Sequence, residues 1–220
     1  VSEERRRHDD RGRPEGRRPP SREAEARRAT ELALLRLSGE VGYEQASVSG
    51  VVGRSGWNLA GFYRAYSGKA ACYAAAYDSA ADALCARLLS ACKAAPDWPA
   101  AMKTGLLELS AYAAEDPALA AGVLVEVHVA GGAALERRAD LVARLARAVD
   151  RARAATRREP PPRPVTPVFV VEAIGAAVAR SLADGTALRE ALPGLLFIAV
   201  ASYFDASEAA RQVRGWPGSG

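Results

Sequence analysis

Residues 47–69, SVSGVVGRSGWNLAGFYRAYSGK, decide how this chain reads. Ser47 is placed to cap a helix by accepting from an unpaired backbone N–H. Val48, Val51 and Val52 then recur at i, i+3 and i+4, giving one apolar face. Ser55-Gly56 ends that helix, because glycine enters the left-handed region without a Cβ clash. Asn58 is a good cap for a second helix, in which Leu59, Phe62, Tyr63 and Tyr66 follow at i, i+3, i+4 and i+7. Ser67-Gly68 breaks the chain again, and Lys69 opens a long Ala-rich helix. Upstream, Leu34, Leu37 and Val41 mark a first helix over about 24–39. The pattern is a compact trihelical unit in the form of a helix-turn-helix, whose second helix is able to enter a DNA major groove.

Residue identities add to periodicity. Gly42-Tyr43, Ser47-Val48, Gly56, Phe62-Tyr63-Arg64, Tyr66 and Lys69 resemble the N-terminal domain of TetR-family (tetracycline-repressor-like) transcriptional regulators, over residues 22–77 and without gaps. The resemblance implies roles for matching positions. Ser47 would bond a phosphate from the start of the second helix. Asn58, Leu59, Ala60 and Gly61 would form the groove-facing segment. Tyr63 would place its hydroxyl on a phosphate, Arg64 would contact phosphate or a base, and Lys69 would add charge and backbone donors at a helix N-terminus.

Departures from that family are concentrated where bases would be read. Leu59-Ala60-Gly61 stands where a polar set such as Lys-Gly-Thr is frequent, Ala65 where a His is common, and Ser38 in place of a core aromatic. Apolar contact with a thymine methyl is the main direct readout left to Leu59 and Ala60. Two placements of Leu59 stand open: helical spacing groups it with Phe62 and Tyr66 in the core, while the resemblance puts it in the groove. Tyr63 is open in the same way, and Trp57 is expected beneath the turn.

The 220 residues suffice for one large domain or two smaller ones, and the 49% hydrophobic share is ample for a core. The longest apolar run, 192–201, is too short to span a bilayer and contains Pro193 and Gly194. The charged N-terminus lacks an apolar signal-peptide region, so the expectation is a cytoplasmic protein. Net charge is +4, unevenly spread: residues 1–22 hold 8 Arg and 5 acidic residues. Such a tail reads as disordered, either a solvated segment or an arm for phosphates and the minor groove. Cys72, Cys85 and Cys92 form no CxxC pair; Cys85 and Cys92 are about two helical turns apart, too far for a disulfide. Reduced thiols are expected.

Beyond Lys69 the pattern is helical throughout, with helices expected over 69–94, 98–114, 117–130, 133–158, 166–184 and 193–210. Pro96-Asp97-Trp98-Pro99 and Asp116-Pro117 mark starts; Gly131-Gly132 and the Pro-rich run 160–167 mark breaks. Val123, Val125, Val127 and Val129 alternate with other residues as in a strand, but a lone strand would lack a partner, so helix is expected there too. The helix from Ala133 has an apolar side with Leu141, Val142, Leu145 and Val149, and an Arg-rich side expected to be solvated.

The last two helices are apolar around much of their circumference and need cover. Val171, Ile174, Val178 and Leu182 form one stripe, with Gly175 permitting close approach; Leu196, Val200 and Phe204 belong to another. TetR-like proteins dimerise through their last two major helices, so these residues are the expected interface of a homodimer facing a pseudo-palindromic operator in double-stranded DNA. The resemblance also implies an apolar effector cavity among the middle helices. Tyr112, Glu126 and His128 are candidates for orienting a small apolar effector, and Trp98 and Met102 for lining the cavity. Each also has a plainer reading, satisfied by a neighbour or exposed.

Catalysis finds little support. The two histidines are His8, in the tail, and His128, so a histidine-based metal site or nucleophile–histidine pair is not expected. No Gly-rich phosphate loop follows a strand, and Glu108, Glu115 and Glu126 show no acid/base pattern. No cofactor is expected, and no membrane partner. The expectation is an all-α chain: a disordered Arg-rich tail (1–21), an N-terminal helix-turn-helix DNA-binding domain (22–68), a C-terminal helical ligand-binding and dimerisation domain (69–214) and a disordered end (215–220). Its function would be that of a ligand-responsive regulator, a repressor released by its effector. The alternative is a protein of the same fold that has lost sequence-specific DNA binding and acts through protein contacts.

Overall fold

The structure is a computed structural model and describes residues 21–155, 165–186, 188–214 and 216. The Arg-rich tail up to residue 20, most of the Pro-rich run and the last four residues lie outside the described residues. The described residues form eleven helices and no strand: α1 (Arg22–Val41), α2 (Val48–Ser55), α3 (Leu59–Ala65), α4 (Lys69–Cys92), α5 (Trp98–Glu115), α6 (Pro117–Leu124), α7 (Val127–Ala130), α8 (Gly132–Ala155), α9 (Pro167–Asp184), α10 (Leu188–Ala201) and α11 (Ala206–Arg214).

Local chemistry sets most of these bounds. Ser21, Ser47, Asn58, Asp97, Asp116 and Thr166 each accept a backbone N–H of the first turn of the helix they precede. Pro follows within the first turn of α5, α6 and α9, where its missing N–H breaks no intrahelical bond. Gly56 closes α2 at a φ of 71°, a conformation that L side chains seldom adopt.

Two expected helices are corrected. The segment 117–130 is not one helix: α6 ends at Leu124, Val125 and Glu126 turn, and α7 follows. The alternating valines did not describe a strand. Val123 and Val127, four apart, are fully buried, whereas Val129 is exposed. The segment 193–210 likewise divides. α10 starts before Pro193 and carries it internally, and Asp205 accepts from the N–H of Glu208, 2.8 Å away, to start α11. A third correction concerns the C-terminal end: Trp216, expected to be frayed, is buried, with the Lys103 ammonium 5.6 Å from its ring centroid.

Packing produces two cores. The first joins Leu34, Leu35, Val51, Val52 and Phe62 of the trihelical unit to Tyr73 and Tyr77 of α4 and to Val123 and Val127. The second lies among α4, α5, α9, α10 and α11 around Trp98, Leu106, Val178, Leu192 and Leu196. The trihelical unit is therefore packed onto the rest of the chain. Its main contact is α1 on α6, where the helices touch backbone to backbone. A Cβ on Gly39 would lie 1.8 Å from the Ala118 carbonyl oxygen, and one on Gly122 would lie 2.1 Å from that of Leu35. The buried Tyr73 hydroxyl donates to the Gly122 carbonyl, and the Glu126 carboxylate accepts from the Tyr43 N–H at 2.6 Å.

The Arg-rich side of α8 is knitted to its neighbours as well as facing solvent. Arg144 pairs with Asp82 and Arg137 with Asp78 on α4, and Arg138 with Glu172 on α9. Among the described residues no helix is long and apolar enough to cross a membrane, and no three His, Cys, Asp or Glu side chains cluster as for a metal ion.

Candidate nucleic-acid interface and effector cavity

α3 is short, and its two faces are cleanly divided. Phe62 and Tyr66 turn inward and stack near each other, with ring centroids 5.4 Å apart. Leu59 and Tyr63 point out, 49% and 59% exposed. The open placement of Leu59 thus resolves away from the core and onto the face it shares with Tyr63, Ala60 and Arg64. The Arg64 guanidinium is well exposed, with Glu23 as a distant partner at 4.0 Å. Gly61 is corrected. It is buried against Trp57, and a Cβ there would lie 2.6 Å from the indole nitrogen, so it serves packing of the turn and offers nothing to a groove.

Polar candidates at the helix starts divide between structural and available roles. The Asn58 carboxamide oxygen caps α3, accepting from Gly61 N–H at 2.7 Å. Ser47 accepts from Gly50 N–H at 3.1 Å, and its hydroxyl also meets that of Ser49. The Lys69 ammonium donates to the carbonyls of Tyr43 (2.7 Å) and Glu44 (3.1 Å) and lies 4.3 Å from the Tyr43 ring centroid. Its charge therefore braces the loop after α1. No side chain caps α4, which leaves N–H groups of its first turn available to an anion.

The second site is an apolar cavity of about 300 Å³ lined by α4, α5, α6, α8 and α9. Its wall on α4 runs from Tyr77 to Cys92, roughly 22 Å of helix, so the space is elongated. Leu84, Leu88, Leu106, Leu141, Leu145 and Ile174 supply much of the wall. Leu141, Leu145 and Ile174 belong to stripes visible in the sequence, but nothing there says which stripes face one another across a void. Tyr77 and Arg138 are its polar members toward one end, and Lys93 lies at the other.

Of the five residues expected around an effector, Trp98 and Met102 line the cavity. Trp98 is itself fixed: its indole N–H donates to the Val149 carbonyl at 3.2 Å, and Tyr203 and Phe204 pack on its ring. Tyr112, Glu126 and His128 do not line it. Tyr112 lies against Arg87, 5.8 Å from its ring centroid; burial pushes its hydroxyl up to about 12. Glu126 is spent on the Tyr43 N–H. His128 is exposed on the short α7, its basicity lowered by partial desolvation and then by Arg138.

The expected dimer residues divide between buried and half-buried positions. Val178, Leu196 and Val200 are fully buried within the one chain, and Leu182 and Phe204 pack against the same core. Val171, Ile174 and Gly175 line the cavity. Periodicity identified apolar stripes that need cover, and for Val178, Leu196 and Val200 that cover comes from the chain itself. The apolar side chains left outward on the α9–α10 pair are Val168, Phe169, Phe197 and Ile198.

No family model matches the chain, and no curated protein matches it. Solved structures do. The chain is similar to the fatty acid degradation regulator FadR from Bacillus halodurans, with a TM-score of 0.66 at 14% identity, covering 78% of this chain and 96% of that one. It is also similar to the transcriptional regulator FadR from Bacillus subtilis, solved in complex with stearoyl-CoA, with a TM-score of 0.64 at 12% identity, covering 79% and 97%. At these identities the likeness is one of fold: the all-helical arrangement of this chain is shared with two proteins described as regulators.

Proposed function

We propose that the chain is a DNA-binding transcriptional regulator of the TetR type, a repressor that releases its operator when a small apolar effector fills the cavity. The observation that carries this reading is the double duty of α6. Val123 and Leu124 form part of the cavity wall, while Gly122, next in the chain, packs its backbone on Leu35 of α1. A ligand that reshapes the wall would move α1, and with it α2 and α3, in a packing that has no slack. Only an effector that binds the two arrangements with different affinity shifts their balance. The elongated cavity suits a chain-like apolar molecule, in keeping with the acyl-CoA held by one fold neighbour.

On this reading Tyr63, Arg64, Ser47 and the first-turn N–H groups of α4 meet phosphates, and Leu59 and Ala60 meet base edges through apolar contact. Two chains would pair through Phe169, Phe197 and Ile198, presenting two copies of α3 to the half-sites of a pseudo-palindrome. A single alternative has an observation behind it. The outward face of α3 carries Leu59, Ala60 and Tyr63, a set poor in base-reading groups and suited equally to a protein partner.

Fluorescence anisotropy with DNA from upstream of the chain's own gene, beside a scrambled duplex, separates the two. The expected result is binding that weakens with salt, saturates at two chains per duplex and discriminates against the scrambled sequence. Equal binding to both duplexes contradicts the regulator reading and favours the protein-contact alternative.

A further inference from the structure

The cavity wall is apolar except at its ends, Lys93 at one and Tyr77 with Arg138 at the other. Tyr77 lines the cavity and is 1% exposed, yet its hydroxyl has no hydrogen-bond partner among the described residues. A hydroxyl that opens on a cavity with no partner in the chain is free to donate to an acceptor brought by a ligand. Arg138 lines the same end. Its guanidinium is held by Glu172 through two parallel bonds, one of 2.9 Å, and the ion pair of the adjacent residues, Arg137 with Asp78 at 3.7 Å, sets Arg138 and Tyr77 at the same end of the cavity. A guanidinium carries more N–H donors than one carboxylate uses.

We propose that Tyr77 and Arg138 form a subsite for the neutral carbonyl oxygen of an otherwise apolar, chain-like effector. This rests on reading the cavity as the effector site. The charge state follows from Glu172. Because that carboxylate already balances Arg138, a second carboxylate would bring two anions to one guanidinium. A carbonyl oxygen accepts from the Tyr77 hydroxyl and from a spare Arg138 N–H without disturbing the ion pair. The chain of the ligand then extends along the Leu84 and Leu88 wall toward Lys93.

The test uses the full chain and the neutral dye N-phenyl-1-naphthylamine, whose fluorescence reports occupancy of the apolar wall. Displacement is measured with 2-undecanone and with decanoate, on the native chain and on Tyr77→Phe. On the native chain 2-undecanone should displace the dye at about tenfold lower concentration than decanoate. Tyr77→Phe should weaken 2-undecanone by about tenfold, leave dye affinity unchanged, and melt no lower than the native chain, since the lost hydroxyl had no partner. Unchanged 2-undecanone affinity in the variant, or a preference for decanoate on the native chain, overturns the subsite. A native chain that binds neither dye nor 2-undecanone overturns the effector-cavity reading itself.

Discussion

Tyr63 and Lys69 look equivalent in the sequence, each a polar group at a position that would meet a phosphate. Their surroundings separate them. Tyr63 is exposed, its ring edge-on to Phe62 and its hydroxyl without a partner among the described residues. Lys69 holds two carbonyls and the Tyr43 ring, which a sequence reading had no means of seeing because those partners are some 25 residues away. Tyr63→Phe should therefore weaken operator binding by roughly threefold to tenfold with no change in melting temperature. Lys69→Ala should destabilise the fold by about 1–2 kcal/mol in urea unfolding, whatever it does to DNA affinity. Unchanged stability in Lys69→Ala would show that the brace has no energetic weight. The caps Ser47, Asn58, Asp97 and Asp116 were legible because a cap is a local event. Glu126 and His128 follow their plainer readings, Glu126 bonded to the Tyr43 N–H and His128 exposed, and the sequence does not decide between readings because the Glu126 partner lies 83 residues away.

Among the elements, α1 through α5 were legible to within a few residues, since caps, prolines and apolar spacing all act over a single turn or two. The α1–α6 crossing was not. Gly39 and Gly122 carry no sequence signal that they face each other; the small residue noted beforehand for close approach was Gly175, which lies on the cavity wall. At the crossing, the obstacle to a Cβ is backbone, which cannot rotate aside. Gly122→Ala should cost about 1–3 kcal/mol of stability in denaturant unfolding, and should loosen the link between cavity and trihelical unit. A variant as stable as the native chain would mean that α1 and α6 slide apart freely. The dimer stripe is only partly legible for a related reason: apolar periodicity says that a face is covered, but not whether the same chain or another copy covers it.

For the whole molecule, the central claim is that one packed body joins a groove-binding helix to an apolar cavity. Fold class and the order of the two units followed from the sequence, because a helix-turn-helix is a local pattern and the remaining helices announce themselves by period. The cavity did not follow, because a void is a property of several helices together. If α6 transmits between the sites, effector and DNA must each weaken the other by the same factor. The most direct measurement is the affinity of the full chain for N-phenyl-1-naphthylamine, taken alone and with saturating DNA from upstream of its gene. The account requires dye binding to weaken by about fivefold or more when DNA is bound, matched by an equal loss of DNA affinity in saturating dye. Identical dye affinity with and without bound DNA would contradict it.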